Sequence, residues 1–514
     1  MSKFTTTISD WSGGATFNPN VGRANQYFIG KLVDNSMPGK LVTMPTTTTV
    51  NVVGQTELTG RLETLNTVSN TADMAIQDAL GEGDVYNYAP NVSAFLLKDV
   101  DTTNNFLHSF YYSALGSAAS IFVGDDGVVY NYNAGANTVT ALSPAVDFGS
   151  DVDFFVGRES SMHGLQAFDR YYVTNGNYIA STTSPANTSS NWDTQAFRLE
   201  GGYDAVSIVR YGKDYIGIAA TKYDLYYGSQ GKVYIWSGIG TTPDWEVSIP
   251  AGIQAAWFEG GYLWIWGDDA KIYASPYGSR EAQEVFSFVN RRPERDTDGN
   301  EPNLRIYPSS IHAVNGKVHF GLSLVDSESA KFNPAGIYAF NPRNIQGGIN
   351  IDRIIPAESD TTSIIRHIKS LQGVLLYSEE FGDAVYPYEG TTNYLKRQKM
   401  RDDDTSRYGV ASFQTTDMVA PTGSKLRVET IRLHTEALPA NTSITITAEN
   451  EQGDTLTYFS SGYSTTGDTY GVDHKAFEGR RVNLTVTIDQ SGGATMPAVL
   501  NSLGIEGNVI PDNK

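Results

Sequence analysis

The chain has 514 residues, 40% of them hydrophobic and 18% charged, which marks a globular protein too long for one compact core. With 57 Asp and Glu against 37 Lys and Arg, its formal net charge is −20, a balance that repels phosphate backbones and argues against gripping nucleic acid. The lack of cysteine removes disulfides, thiolate metal sites and thiol nucleophiles, while 50 Gly and 30 Tyr favour strands and tight turns over helices.

Residues 1–46 fit no repeat and are expected to form an extended N-terminal arm, docked on a neighbouring subunit. Met1 to Trp11 lacks the basic patch and apolar run of a secretory signal, and no stretch reaches the roughly 18 apolar residues of a membrane helix. Synthesis in the cytoplasm without membrane insertion is the expectation. Val50–Val53 is a candidate strand for closing the domain that follows, and Thr71–Leu80 is expected to form one short helix ended by Gly81.

From there a short motif recurs: an aliphatic residue, Tyr, any residue, then usually an aromatic. It reads Val85-Tyr86-Asn87-Tyr88, Val129-Tyr130-Asn131-Tyr132, Val233-Tyr234-Ile235-Trp236, Ile272-Tyr273-Ala274-Ser275, Ile337-Tyr338-Ala339-Phe340 and Val385-Tyr386-Pro387-Tyr388, with a weaker copy at Asn177-Tyr178-Ile179-Ala180. The tyrosines lie 39 to 65 residues apart and 50 on average. Upstream of most copies stand hairpins with Gly-containing turns: Phe168–Ala180, Val206–Ile218, Ile253–Trp266, Ile311–Phe320 and Ile364–Leu376. A hairpin plus further strand material at this period is the signature of a propeller blade. The expected fold is therefore all-β, a β-propeller of about seven blades over residues 47–396.

The charged run Lys396–Asp404 lacks alternation and reads as a linker, residues 397–411. Beyond it Lys425–Leu433, Ser443–Ala448, Leu456–Phe459, Arg481–Ile488 and Leu500–Ile505 predict a C-terminal antiparallel β-sandwich over residues 412–514.

Chemistry is sparse. The sequence carries no phosphate-binding Gly-x4-Gly-Lys pattern, no Gly-x-Ser-x-Gly and no His-Glu-x-x-His, and no catalytic or cofactor-binding residue is singled out. Counting outwards from the Asn315-Gly316 turn sets His312 opposite His319, half of a zinc site or a cross-strand pair packed between blades. Trp257 and Trp264 should face each other around Gly260-Gly261, with Trp266 on the same side as Trp264. Such a cluster either stacks on sugars or fills the space between blades. Glu379, Glu380 and Asp383 share one hairpin and read as a solvated loop rather than as a hydrolytic pair flanking a bond.

The Tyr-rich strand repeat, the Cys-free Thr/Asn/Gly/Tyr-rich composition and the ending Arg480–Thr487 followed by Met496–Leu503 resemble tailed-bacteriophage virion proteins, especially tail nozzle or hub proteins carrying a β-propeller. The resemblance implies a mechanical, non-enzymatic role in the virion tail. The subunit would join copies of itself in a ring and contact other tail proteins, form or close the DNA conduit until DNA ejection, and need no cofactor. An acidic lumen is expected of such a conduit. A receptor- or glycan-binding or fibre-adaptor module is one alternative, and a propeller glycoside hydrolase another.

Overall fold

The computed structural model describes residues 2–9, 11, 27–35, 37, 39–52, 75–78, 85–87, 106–114, 117–124, 129–133, 138–141, 163–183, 192–224, 228–288, 303–314, 316–325, 334–343, 349, 351–357, 363–365, 368–371, 374–381, 392–399, 408–464 and 470–512. The protein is all-β, a β-propeller followed by an antiparallel β-sandwich. Among the described residues the helical content is one 3-10 turn, Pro308–Ser310.

The propeller blades follow one another along the chain as antiparallel meanders. Blade 2 comprises Phe106–Ala114, Ser117–Gly124, Val129–Asn133 and Thr138–Ala141. Blade 3 comprises Gly164–Ala167, Arg170–Asn175, Tyr178–Thr182 and Trp192–Arg198. Blade 4 comprises Tyr203–Tyr211, Tyr215–Asp224, Gly228–Trp236 and Trp245–Ile249. Blade 5 comprises Ile253–Glu259, Tyr262–Gly267, Lys271–Pro276 and Gln283–Ser287. Blade 6 comprises Ile311–Val314, Lys317–Val325, Gly336–Phe340 and Ile351–Pro356.

Blades 1 and 7 meet through a shared strand. Blade 7 contains Ile368–Leu371, Val374–Phe381 and Thr392–Lys399, and blade 1 contains the hairpin Ala75–Asp78 and Val85–Asn87. The strand Thr47–Val52 joins them: Thr47–Thr49 pair with Gln398–Lys396, and Val50–Val52 pair with Asp78–Ile76.

The recurring motif is the third strand of its blade, and strand alternation explains its form. Tyr234 of blade 4 packs in the core against blade 3, Tyr273 of blade 5 against blade 4, and Tyr338 of blade 6 against blade 5. Their flanking neighbours point the other way. Val233 and Ile235 face blade 5, Ile272 and Ala274 face blade 6, and Ile337 and Ala339 face blade 7. The aromatic thus fills the gap behind each blade and the aliphatics the gap ahead. The hairpin turns fall where the glycines predict them. Gly260 and Gly261 take φ of 64° and 85° between the paired residues Glu259 and Tyr262, the double positive φ of a type I′ turn. Tyr386 lies outside the described residues.

Three expectations are corrected. Residues 396–399 are not linker but the end of the strand Thr392–Lys399, hydrogen-bonded on both edges, so backbone pairing rather than side-chain alternation decides their state. Within Thr71–Leu80, Ala75–Asp78 is a strand paired on both sides, which outweighs the weak propensity of so short a helix.

The N-terminal segment is not an arm. Ser2–Ile8 pairs along Leu503–Val509, Val33–Asp34 and Leu41–Thr43 extend that same sheet, and Tyr27–Lys31 pairs with Val410–Thr415 in the facing sheet. Ile8, Trp11, Tyr27, Leu32, Val33 and Leu41 lie in one core with Phe413, Val428, Ile446, Val486 and Leu503. The buried Thr43 hydroxyl donates to Gln490 Oε1 at 2.6 Å and accepts from the Ala498 amide at 2.8 Å. Half a core cannot hide its apolar faces. Residues 408–514 expressed alone are therefore expected to be insoluble or molten, and to recover dispersed amide NMR spectra when residues 1–46 are joined to them through a flexible linker. A well-dispersed spectrum of the isolated fragment would contradict this assembly.

Candidate functional site at the junction of propeller and sandwich

Blade 6 carries a row of register-matched residues on one face: His312 opposite His319, His319 opposite Ala339, and Ala339 opposite Asp352. The outermost strand of this blade, Ile351–Pro356, is where the N-terminal strands of the sandwich touch the propeller. Tyr27 donates its hydroxyl proton to Asp352 Oδ1 at 2.5 Å, with both residues buried. The Leu32 amide donates to the Ile354 carbonyl at 3.2 Å, and Arg353 Nε to the Gly30 carbonyl at 3.3 Å. Lys317 Nζ pairs with Asp34 at 2.7 Å, each side chain about a quarter exposed. Asn35 ties this seam to the sandwich core, its side-chain amide donating to the Trp11 carbonyl at 2.7 Å.

Burial dominates the electrostatics of this cluster. It pushes the Asp352 carboxyl up to about 7, with Lys317 opposing the rise, Asp34 adding to it, and hydrogen bonds from the Tyr27 hydroxyl and the Asn35 backbone N–H opposing it. The Tyr27 hydroxyl is held well above its ordinary range by burial and by Asp352. Burial lowers His319 to about 3, and Lys317 and His312 add to the fall. His319 is thus a neutral imidazole at physiological pH, and its Nδ1 is buried without a hydrogen-bond partner.

The two histidines do stand opposite each other as counted from the turn. Among the described residues no group of three or more His, Cys, Asp or Glu is placed to hold a metal ion. The tryptophan register is likewise as counted, with Trp257 opposite Trp264. Trp264 and Trp266, however, are fully buried between blades 5 and 6, and only Trp257 keeps part of its surface. Trp264 lies 4.6 Å from Phe340, and Trp266 lies 5.4 Å from Phe320, ring centre to ring centre. Neither can stack on a sugar. They are candidates corrected by burial, because an aromatic facing an adjoining sheet hides more apolar surface than one facing solvent.

Asp352 and Tyr27 escaped the sequence analysis. The available signal was the charged pair Asp352-Arg353 inside the otherwise apolar run Ile351 to Ile355, a pattern that a buried strand carries only when partners wait for it. The partners come from more than 300 residues away in sequence.

No protein-family profile matches the chain, and no curated protein matches it. Among solved structures, it is similar to Raptor of Chaetomium thermophilum at 8% identity and TM-score 0.38, over 77% of this chain and 30% of that one. It is similar to BamB of Moraxella catarrhalis at 9% identity and TM-score 0.31, over 70% and 99% of the two chains. An exo-β-1,3-galactanase of Phanerochaete chrysosporium aligns at 11% identity and TM-score 0.29, over 67% and 95%. At these scores the architecture rests on the strand pairing itself. No helix among the described residues is long and apolar enough to cross a membrane.

Trp266→Ala should lower unfolding stability by about 3–5 kcal/mol through the cavity left between blades 5 and 6, as read by urea denaturation; a loss under about 1 kcal/mol would show that the site is not the tight core described. The two shifted groups have opposite signs. The stability from Asp352, raised when folded, is full below its ordinary 3.8 and lost as pH rises through about 7. That from His319, lowered when folded, is present above its ordinary 6.5 and lost as pH falls toward about 3. Between about pH 4 and 6.5 they oppose each other. Relative to the parent protein, Asp352→Asn should lose stability on acidification through that window and His319→Gln should gain it. Denaturation series at several pH values that superimpose for all three proteins would refute both assignments.

Proposed function

We propose that the protein is a non-enzymatic structural subunit of a tailed-bacteriophage particle, and specifically a nozzle or hub part of the tail that joins copies of itself around the DNA conduit. The observation that carries this is how the side chains of the repeat are used. The motif residues Tyr234, Tyr273 and Tyr338, and the tryptophans Trp264 and Trp266, serve blade-to-blade packing. The two ends of the chain merge into one sandwich seated on blade 6. Such a body is built to hold a position. The Thr/Asn/Gly/Tyr-rich, Cys-free composition and the C-terminal ending that resemble phage tail proteins supply the placement, and a net charge of −20 suits a wall along which DNA must pass without sticking.

The test is mass spectrometry and electron microscopy of particles purified from cells expressing the gene in its native context. The chain should be present in several copies per particle, in a ring with an acidic lumen. Particles that lack it, or a ring with a basic lumen, would overturn the reading.

A second reading, recognition of a glycan or receptor, has one observation in its favour. Tyr277 is 48% exposed and stacked on Tyr211 at 4.9 Å, a flat ring presented beside the turn at Gly212. Reproducible glycan-array binding abolished by Tyr277→Ala would favour it over a purely mechanical role.

A further inference from the structure

The junction of sandwich and propeller is held from one N-terminal segment by the half-buried Met44, which packs against both the sandwich core and the core between blades 6 and 7, and by a few polar contacts, one of them to a carboxyl group sealed from water. Asp352 is 3% exposed and Tyr27 is 1% exposed. Asp352 is surrounded from every element packed there. The N-terminal segment supplies the Tyr27 hydroxyl at 2.5 Å, the Asn35 backbone N–H and the Asp34 carboxylate. The second strand of blade 6 supplies Lys317 and, along the same row, His319. Its own strand supplies Arg353, whose Nε is engaged by the Gly30 carbonyl and whose guanidinium also meets Tyr338. Lys317 is the cation whose charge acts on Asp352, and it already pairs with Asp34 at 2.7 Å.

We infer that the Tyr27–Asp352 contact is a proton-dependent latch, closing the sandwich onto blade 6 while Asp352 is neutral and releasing that seam when it is charged. This goes beyond the mechanical role proposed above and does not depend on it. In the closed junction a neutral carboxyl accepts from Tyr27 and leaves Lys317 to Asp34. Once ionised, Asp352 is a second buried carboxylate competing for one lysine, and such a charge is costly to keep from water. Opening the seam breaks the Tyr27–Asp352, Leu32–Ile354 and Arg353–Gly30 hydrogen bonds, parts Asp34 from Lys317 and lets water reach the carboxylate. The core between blades 5 and 6 need not move: none of these hydrogen bonds joins two of its side chains, and Arg353 meets Tyr338 from within the same blade. The burial that raises the Asp352 carboxyl to about 7 sets the window: closure is favoured below that value and weakens as pH rises through it. His319 works in the opposite sense if it is wetted on opening, so the latch is isolated by comparing proteins at each pH rather than by one protein's profile.

The experiment is amide hydrogen exchange with mass spectrometry on the full chain, parent and Asp352→Asn, at about pH 5 and about pH 8, corrected for intrinsic exchange. Peptides covering 27–35 and 351–356 report the seam, and peptides covering 262–276 in blade 5 report the rest. The parent-to-variant ratio of seam opening should rise by about tenfold or more from the lower to the higher pH, with blade 5 unaffected. A ratio that does not change between the two pH values, or a change shared by blade 5, overturns the latch. Tyr27→Phe supplies a second route that preserves the sandwich core. Removing the donor to the carboxylate should increase seam opening at pH 8 more than at pH 5, and equal effects at both would likewise count against it.

Discussion

The pairing of Thr47–Thr49 with Lys396–Gln398 constrains everything else in the molecule. An antiparallel pair at this point puts the start of one strand, Thr47, beside the end of the other, Gln398–Lys399, at the same end of blade 7. The segment before the propeller and the segment after it therefore start side by side, whatever their sequences. A sandwich assembled from both is the economical outcome: Ser2–Ile8 runs along Leu503–Val509 and Tyr27–Lys31 along Val410–Thr415, so each sheet contains strands from both ends of the chain. The same shared strand also pairs with Ala75–Asp78, linking the last blade to the first. Cutting the chain into successive domains misses this, because one hydrogen-bonded ladder decides both the ring and the sandwich.

What could be read from the sequence follows the range of the interactions involved. The aliphatic-Tyr motif, the turns at Gly260-Gly261 and Asn315-Gly316, and the facing of His312 with His319 and of Trp257 with Trp264 all depend on residues within one hairpin or one strand, where period and turn chemistry specify the geometry. The failures have partners far away. Lys396–Lys399 looks like a charged linker until its partner strands are known. Ala75–Asp78 has helical propensity that two flanking strands override. The N-terminal residues Ile8, Trp11 and Tyr27 are too widely spaced to show a period, yet each is buried in a core whose other half lies some 400 residues on. The sugar-stacking candidates fail for a related reason: local register gives the side of the hairpin an indole faces, and not whether another blade covers that side.

The two kinds of contact in the molecule differ in what they specify. Between blades 5 and 6 the filling is Trp264, Trp266, Phe320, Tyr338 and Phe340, a large non-directional burial that tolerates small adjustments. At the seam with the sandwich the contacts are directional. Tyr27, Gly30 and Leu32 each meet one particular group on Asp352–Ile354, and Asp34 meets Lys317. A slip of one residue along that strand would turn Asp352 to the other face and leave buried donors and acceptors unpaired, at about 1–3 kcal/mol for each. The seam thus gains register from groups that an apolar surface of equal size would lack, and it carries the desolvation cost of Asp352 as the consequence.

Directionality appears at a larger scale in the phase of the motif. Blades 4, 5 and 6 present the motif tyrosine backwards and its aliphatic neighbours forwards, so each interface they make joins two unlike faces. An interface of that kind propagates head to tail and does not contain within itself the number of repeats. The number must come from closure, which is why the strand that ends one sheet and begins the next has to be supplied by the distant N-terminal side of the chain. The irregular spacing of the tyrosines, 39 to 65 residues, fits the same logic. Loop length between blades is free to vary so long as the third strand keeps its phase, whereas moving the tyrosine by a single position would turn it into the wrong gap.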